Sequence, residues 1–273
     1  MNLIDRDTVM CISLAARPGN HGNRFHNYLY AMLGLNYIYK SFSSTDIADT
    51  IAGIRSLGIR GSGVSMPYKE AVIPLLDYLD PSAQAIGAVN TIVNDGGILT
   101  GYNTDYIAVR SLLDEHEVRR DLPFALMGAG GMAKAMLAAL TDAGFTDGVV
   151  LASRNLDRGT RLAARYGFQA VADLGSTQPQ FLLNATPIGM SGGAESAQLA
   201  FPPEVIASAD TVFDVVYTPR DTPLVLAGKR AGKSVITGDE VMLRQALEQF
   251  VLYTGVRPTL AQVDEAETYA AQL

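Results

Sequence analysis

The sequence predicts an α/β protein of two domains, and three observations predict it. Apolar strand-like runs alternate with segments of helical period along the chain. The length of 273 residues exceeds the usual size of one domain. A strand, a glycine turn and an Ala-rich helix follow one another at residues 122–144, the opening of a βαβ unit. Hydrophobic residues make up 48% and charged residues 18%, as in an ordinary folded protein. The net charge of −7 argues against a nucleic acid or an anionic membrane as partner, since either calls for a broad basic face; a local basic pocket stays open. No apolar run approaches the ~20 residues of a membrane span. The opening "MNLIDRDTVMCISL" has acidic residues where a signal peptide carries a basic segment, so a cytoplasmic protein is expected. Cys11 is the only cysteine, which excludes an intrachain disulfide and a cysteine-based zinc site; it reads as a small buried residue on a strand.

In chain order, "TVMCISL" (8–14) reads as a buried strand. Residues 24–33 put Phe25, Tyr28, Leu29, Met32 and Leu33 on one helical face. "NYIYKSF" (36–42) alternates like a strand, and Thr45 or Asp46 can cap a helix carrying Ile47, Ile51, Ile54 and Leu57. "GSGVSM" is a short strand, Lys69 to Tyr78 reads as a third helix, and "NDGG" between "AVNTIV" and "GILTGY" signals a hairpin. The charged run "DEHEVRRD" (114–121) reads as a solvated helix end and link, and the first domain boundary is drawn near it. The three histidines, His21, His26 and His116, form no metal constellation, and no metal is expected.

The second domain opens with the apolar strand "LPFALM", the segment "GAGGMAKAMLAALTDAG" and the strand "DGVVLASRN". Its turn, Gly128, Ala129, Gly130, Gly131, Met132 and Ala133, carries the GxGxxA spacing of a dinucleotide-binding unit. Gly128 permits the tight turn, Gly130 lets backbone approach a pyrophosphate, and Ala133 lets the helix pack close to the strand with its N-terminus toward the phosphates. At the end of the second strand an NAD-binding unit usually carries an acid for the ribose hydroxyls. This chain has Ser153, Arg154 and Asn155, with Arg158 one turn later. Arginine holds a 2′-phosphate by charge-assisted hydrogen bonds, each contributing about 1.5–3 kcal/mol, so NADP is the expected cofactor. The plainer reading makes Arg158 a helix-surface charge.

"GSGVSMPYKEAV", "GAVNT", "GYNTD", "GAGGMAKA", "SRN", "NATPIGM", "DVVYTPRDTPL" and "MLRQA" together resemble the shikimate dehydrogenase family in order and spacing. The resemblance implies an N-terminal substrate domain over 1–105, a Rossmann domain over 106–239, and a segment 240–273 returning to the first domain, with the active site in the cleft between. It implies NADP-linked exchange between a ring ketone and a secondary alcohol of shikimate or a shikimate-like cyclic acid, a step of aromatic amino acid biosynthesis. Lys69 matches the catalytic lysine and Asp105 its partner acid. An ammonium beside the carbonyl oxygen stabilises developing charge and donates the proton. Ser65, Asn90, Tyr217 and Gln245 match residues that hydrogen-bond substrate hydroxyls, although Tyr217 also reads as a core aromatic and Gln245 as a helix-surface amide. Asn184, Ala185, Thr186 and Pro187 match the loop beside the ribose and nicotinamide, and Val215 and Gly238 match positions lining the nicotinamide ring.

Three departures stand out. The family's Ser-x-Ser pair, which binds the shikimate carboxylate, is replaced by Asn20-His21-Gly22 within "ARPGNHGNRF". Asn20, backbone amides near Gly19 and Gly22, Arg17 or Arg24 can hold a carboxylate instead, or the stretch is a turn with no ligand role. Tyr106-Ile107-Ala108 and Glu240 stand where the family commonly has glycine. These differences resemble the shikimate dehydrogenase-like branch. The substrate stays open among shikimate, quinate and aminoshikimate-type acids, with a non-catalytic NADP-binding regulator as the alternative class. The expected partner is a small molecule, and the sequence leaves monomer or homodimer open.

Overall fold

The computed structural model describes residues 4–16 and 18–271. They form two compact units, residues 1–104 with 245–273, and residues 105–244. Asp105 and residues 240–244 therefore fall in the second unit, although the sequence reading grouped them with the first.

The first unit contains β1 (Val9–Leu14), α1 (His21–Met32), β2 (Tyr37–Phe42), α2 (Ile47–Ser56), β3 (Gly61–Val64), β4 (Tyr78–Leu79), α3 (Pro81–Ile86), β5 (Thr91–Asp95) and β6 (Ile98–Tyr102). One mixed sheet runs β2-β1-β3-β5-β6-β4. Cys11, Ile12 and Leu14 of β1 are buried, and burial pushes the Cys11 thiol up to about 12, so it packs as an inert apolar group. Asp46 caps α2 by accepting from Asp49 N at 3.0 Å. In the hairpin Asp95 pairs with Ile98, which leaves the two-residue turn Gly96-Gly97 with φ of 62° and 94°.

The third helix expected over 69–78 does not form. The segment is a series of turns, then a short 3₁₀ turn at Ile73–Leu75, then strand β4 paired with β6. Pro74 explains this: it removes a backbone donor and disfavours helical geometry at Ile73. Lys69 consequently sits on a turn whose backbone is pinned, its carbonyl accepting from Val89 N at 2.8 Å.

The second unit holds α4 (Thr104–Glu115, its first residue still in the first unit), β7 (Phe124–Met127), α5 (Gly131–Ala143), β8 (Gly148–Leu151), α6 (Leu156–Arg165), β9 (Gln169–Val171), β10 (Phe181–Asn184), α7 (Pro203–Ser208), β11 (Thr211–Asp214), α8 (Pro223–Arg230), β12 (Ser234–Ile236) and the start of α9 (Gly238–Thr254). Its six strands are all parallel in the order β12-β11-β10-β7-β8-β9. Strands buried on both faces explain near-continuous apolar runs such as "FALM" and "FLLN". The chain winds one way from β7 and then restarts beside it with β10, which makes the β7/β10 edge a topological switch point. The last helix of the chain, α10 (Leu260–Ala271), packs on α1 in the first unit. No helix among the described residues is long and apolar enough to cross a membrane.

Candidate functional site

A cavity of about 300 Å³ opens in the second unit at the carboxyl ends of β7, β8 and β10. Three turns meet there: Gly128, Ala129 and Gly130 after β7; Ser153, Arg154, Asn155 and Arg158 after β8; Thr186 and Pro187 after β10. The parallel sheet aims all three strand ends at the switch point, where open α/β sheets bind ligands. Gly128 has φ +114°, and a Cβ there would lie 2.9 Å from Thr186 Cγ2, so only glycine fits. A Cβ at Gly130 or Gly131 would meet nothing within 4 Å, so backbone at the α5 N-terminus faces open space. Met132 packs against the core and Ala133 is fully buried in it, so these two seat the helix and are not part of the cavity wall.

The loop after β10 is fixed by its own polar groups. Asn184 Oδ1 accepts from Thr186 N at 3.1 Å and Thr186 Oγ1 at 2.6 Å, and Asn184 Nδ2 donates to Ile188 O and to Asp214 Oδ1. Asp214 is wholly buried; burial raises its carboxyl above the usual range, while Thr222, Val216 N and Asn184 donate to it. Sequence reasoning gave Asp214 no role, although it ends an apolar strand and opens the motif "DVVYTPRDTPL". Ala185, expected beside the ribose, lines the cavity, and so does Ile188, which lies inside "NATPIGM" but was not singled out.

On the β8 side Asn155 caps α6, accepting from Arg158 N at 2.9 Å, and Arg154, Asn155 and Arg158 all line the cavity. Val215 and Gly238 do not line it. A Cβ at Gly238 would fall onto the Val216 carbonyl, so glycine at 238 is required by a backbone neighbour. Tyr217 is 38% exposed and is not a core aromatic.

In the first unit Ser65 is exposed just after β3, and Lys69 is half-buried on its turn. Asn90 is buried and committed to its neighbours: its carbonyl oxygen accepts from Thr104 N at 2.8 Å and Thr91 Oγ1 at 3.0 Å, and its amide donates to Thr104 Oγ1. Gln245 is half-buried on α9. Asp105, in the second unit, is 9% exposed in the first turn of α4. The substituted turn before α1 is partly filled by its own contacts. Asn20 Oδ1 accepts weakly from Asn23 Nδ2 at 3.3 Å, His21 Nε2 lies 2.7 Å from Glu267 Oε2, and a Cβ at Gly22 would lie 3.2 Å from the Tyr39 ring. Arg17 lies outside the described residues.

Residues 22–92 match the family model described as the shikimate dehydrogenase substrate binding domain. A shikimate dehydrogenase-like protein of Haemophilus influenzae is 47% identical over 268 residues, 98% of each chain. The chain belongs to the shikimate dehydrogenase family. A solved shikimate 5-dehydrogenase-like protein superposes with TM-score 0.97 at 48% identity, covering 98% of this chain and 99% of that one. Shikimate 5-dehydrogenase from Thermus thermophilus, solved in complex with NADP(H) and shikimate, superposes with TM-score 0.82 at 29% identity, over 96% of this chain and 99% of that one.

Within the family's frame the departures have structural roles. Tyr106 OH donates to Asp142 Oδ2 at 2.6 Å, tying α4 to α5, and Ala108 is fully buried in the same core. Glu240 reaches back to accept from Thr237 N at 2.8 Å, half of a capping box at the start of α9, and its other oxygen meets His116 Nε2 at 2.7 Å. Burial pushes the Glu240 carboxyl up, but the Thr237 donors and His116 outweigh it and hold it below its ordinary value. The three histidines thus serve three separate contacts, with Glu267, Gln249 and Glu240. Among the described residues no group of three or more His, Cys, Asp or Glu could hold a metal ion.

Proposed function

We propose that the protein is an NADP-dependent oxidoreductase acting on shikimate or a similar cyclic hydroxy acid. The observation that carries this reading is the cavity at the switch point, where a bare glycine turn faces two arginines. The fit to NADP is chemical. Backbone amides at Gly130 and Gly131 suit a pyrophosphate. Arg154 and Arg158 suit a 2′-phosphate, and the fixed 184–188 loop suits the ribose side. When bound, the cofactor supplies or accepts the hydride.

In this reading Lys69 donates a proton to the carbonyl oxygen during reduction and takes one, directly or by relay, during oxidation. Asp105 orients the amine and binds a substrate hydroxyl. Ser65, Tyr217 and Gln245 hold further hydroxyls, and Asn90 fixes Thr104, the residue before Asp105, through its carbonyl oxygen. The family membership and the relative solved with NADP(H) and shikimate support the reaction class. Quinate or an amino-substituted analogue is the variant substrate within this reading, since the turn at Asn20-His21-Gly22 lacks the family's Ser-x-Ser pair.

The test is initial rates with NADP or NADPH against shikimate, dehydroshikimate, quinate and aminoshikimate, for the wild type and Lys69→Ala. The variant is expected to lose turnover by on the order of 10²–10⁴-fold while NADP affinity stays within about twofold. Unchanged turnover in the variant would remove Lys69 from the chemistry. A wild type that binds NADP yet turns over none of the panel would favour the regulatory alternative.

A further inference from the structure

The second strand of a dinucleotide-binding unit usually ends in an acid when the ribose is unphosphorylated. Here β8 runs into Ser153-Arg154-Asn155, and no acid follows it directly. The fold nevertheless brings one. Glu195, 41 positions along the chain, places its Oε1 on the Arg154 guanidinium. We propose that Glu195 is a specificity-determining residue, a built-in counter-anion on Arg154 that weakens the preference for a 2′-phosphate and lets the site accept NAD beside NADP. The proposal rests on the cofactor reading above.

Glu195 is a fixed group. Its backbone carbonyl accepts from Gly189 N and from Gln198 N, both at 3.0 Å. The same loop is tied back through Met190 N to Pro187 O and through Ser191 N to Thr218 O. Pro187 itself lines the cavity, so the loop that carries the acid is tied to the cavity wall. The Glu195 side chain is 22% exposed and that of Arg154 69%, so the carboxylate is the better-anchored partner.

An ion pair this open adds little to stability. Its consequence is for the ligand. A 2′-phosphate carries close to two negative charges at neutral pH, by analogy with phosphorylated side chains. It must share the guanidinium with a carboxylate or push the carboxylate off. A ribose 2′-hydroxyl meets no such repulsion and can donate to the same carboxylate. Arg158 also lines the cavity and is not paired with Glu195 in this arrangement, which keeps NADP binding while lowering its advantage.

Titration calorimetry of NADP and NAD into the full-length wild type, Glu195→Gln, Arg154→Ala and the double variant tests this. Glu195→Gln is expected to tighten NADP by about three- to thirtyfold at low salt, with NAD unchanged or weaker. In the Arg154→Ala background the same change is expected to move the NADP to NAD ratio by less than about twofold. Equal shifts for both nucleotides, an unchanged ratio, or an effect that persists without Arg154 would each overturn the assignment of Glu195. A wild type that binds neither nucleotide would instead overturn the cofactor reading itself.

Discussion

Two turns in this protein are built from similar parts and end differently. Each follows a buried strand, carries glycines and opens a long helix. After β7 the turn is bare: Gly128 is pressed against Thr186, and beyond it the Cβ positions of Gly130 and Gly131 face open space beside a cavity. After β1 the helix start is occupied. His21 is bonded to Glu267 of α10, and Gly22 is close to Tyr39, so of the two glycines only Gly19 faces open space. The difference teaches that a strand-glycine-helix pattern marks a ligand site only where the surrounding side chains leave the backbone uncovered.

The largest expected effect would break the first turn. Gly128→Val forces a branched side chain into φ +114° and onto Thr186 and Ala185. It is expected to cost about 2–4 kcal/mol of stability and at least about 100-fold in NADP affinity. Gly130→Ala supplies the control, because its Cβ meets no protein atom within 4 Å. It should leave urea stability within about 0.5 kcal/mol while NADP binding falls. Normal NADP binding by Gly130→Ala would mean that the open turn does not cradle the pyrophosphate.

The second turn was less legible in the sequence for a physical reason. Local patterns show where a strand stops and a helix starts. They do not show what a distant element puts there. The β7 turn, the two arginines after β8 and the "NATPIGM" loop were legible because three parallel strands deliver them to one switch point, a consequence of topology that motif order carries. Glu267 against His21 and Glu195 against Arg154 join residues 246 and 41 positions apart, and neither acid lies in a recognisable motif. The segment 69–78 misled because its composition suits a helix, while the single residue Pro74 and the pairing of Tyr78–Leu79 with β6 decide otherwise. Gly238 was legible as a special position, but its reason, the Val216 carbonyl in the place of the missing Cβ, is a tertiary contact.

The helices behind the two turns also differ. α5 buries an Ala-rich face with no titratable group in it, whereas α1 buries His26. The imidazole stacks on Tyr39 at 4.2 Å, and its Nε2 meets Gln249 Oε1 at 3.1 Å. Burial pushes it from 6.5 down to about 3. Below pH 6.5 the unfolded chain therefore takes a proton that the folded chain refuses until about pH 3. The stability that His26 contributes is whole above pH 6.5 and falls as the solution is acidified. From pH 6.5 to about 4.5 the loss is expected to be about 2–3 kcal/mol, from ~1.4 kcal/mol per pH unit. Carboxyls held low by partners, such as Asp77 by Arg55 and Asp221 by Lys229, lose stability in the same direction, but equally in wild type and variant. Urea melts of wild type and His26→Gln across this range should thus converge as pH falls. Parallel curves would show that α1 and α5 respond to acid alike.

The smallest effect sharpens the comparison most directly, because it empties the second turn. His21→Ala removes the contact with Glu267, whose side chain is 13% exposed against 40% for His21. The pair is half-open, so the expected cost is only about 0.5–1 kcal/mol in a thermal or urea melt. NADP binding, proposed for the other turn, should not change. KM on the cyclic-acid panel is the informative readout. If His21 merely seals the helix start, KM should stay constant for every acid. If its engagement by Glu267 is what redirects the turn from a shikimate-type carboxylate, KM should shift for the carboxylic acids while kcat stays fixed. A kcat change without a KM change would instead place His21 in the chemistry and erase the distinction between a bare turn and a filled one.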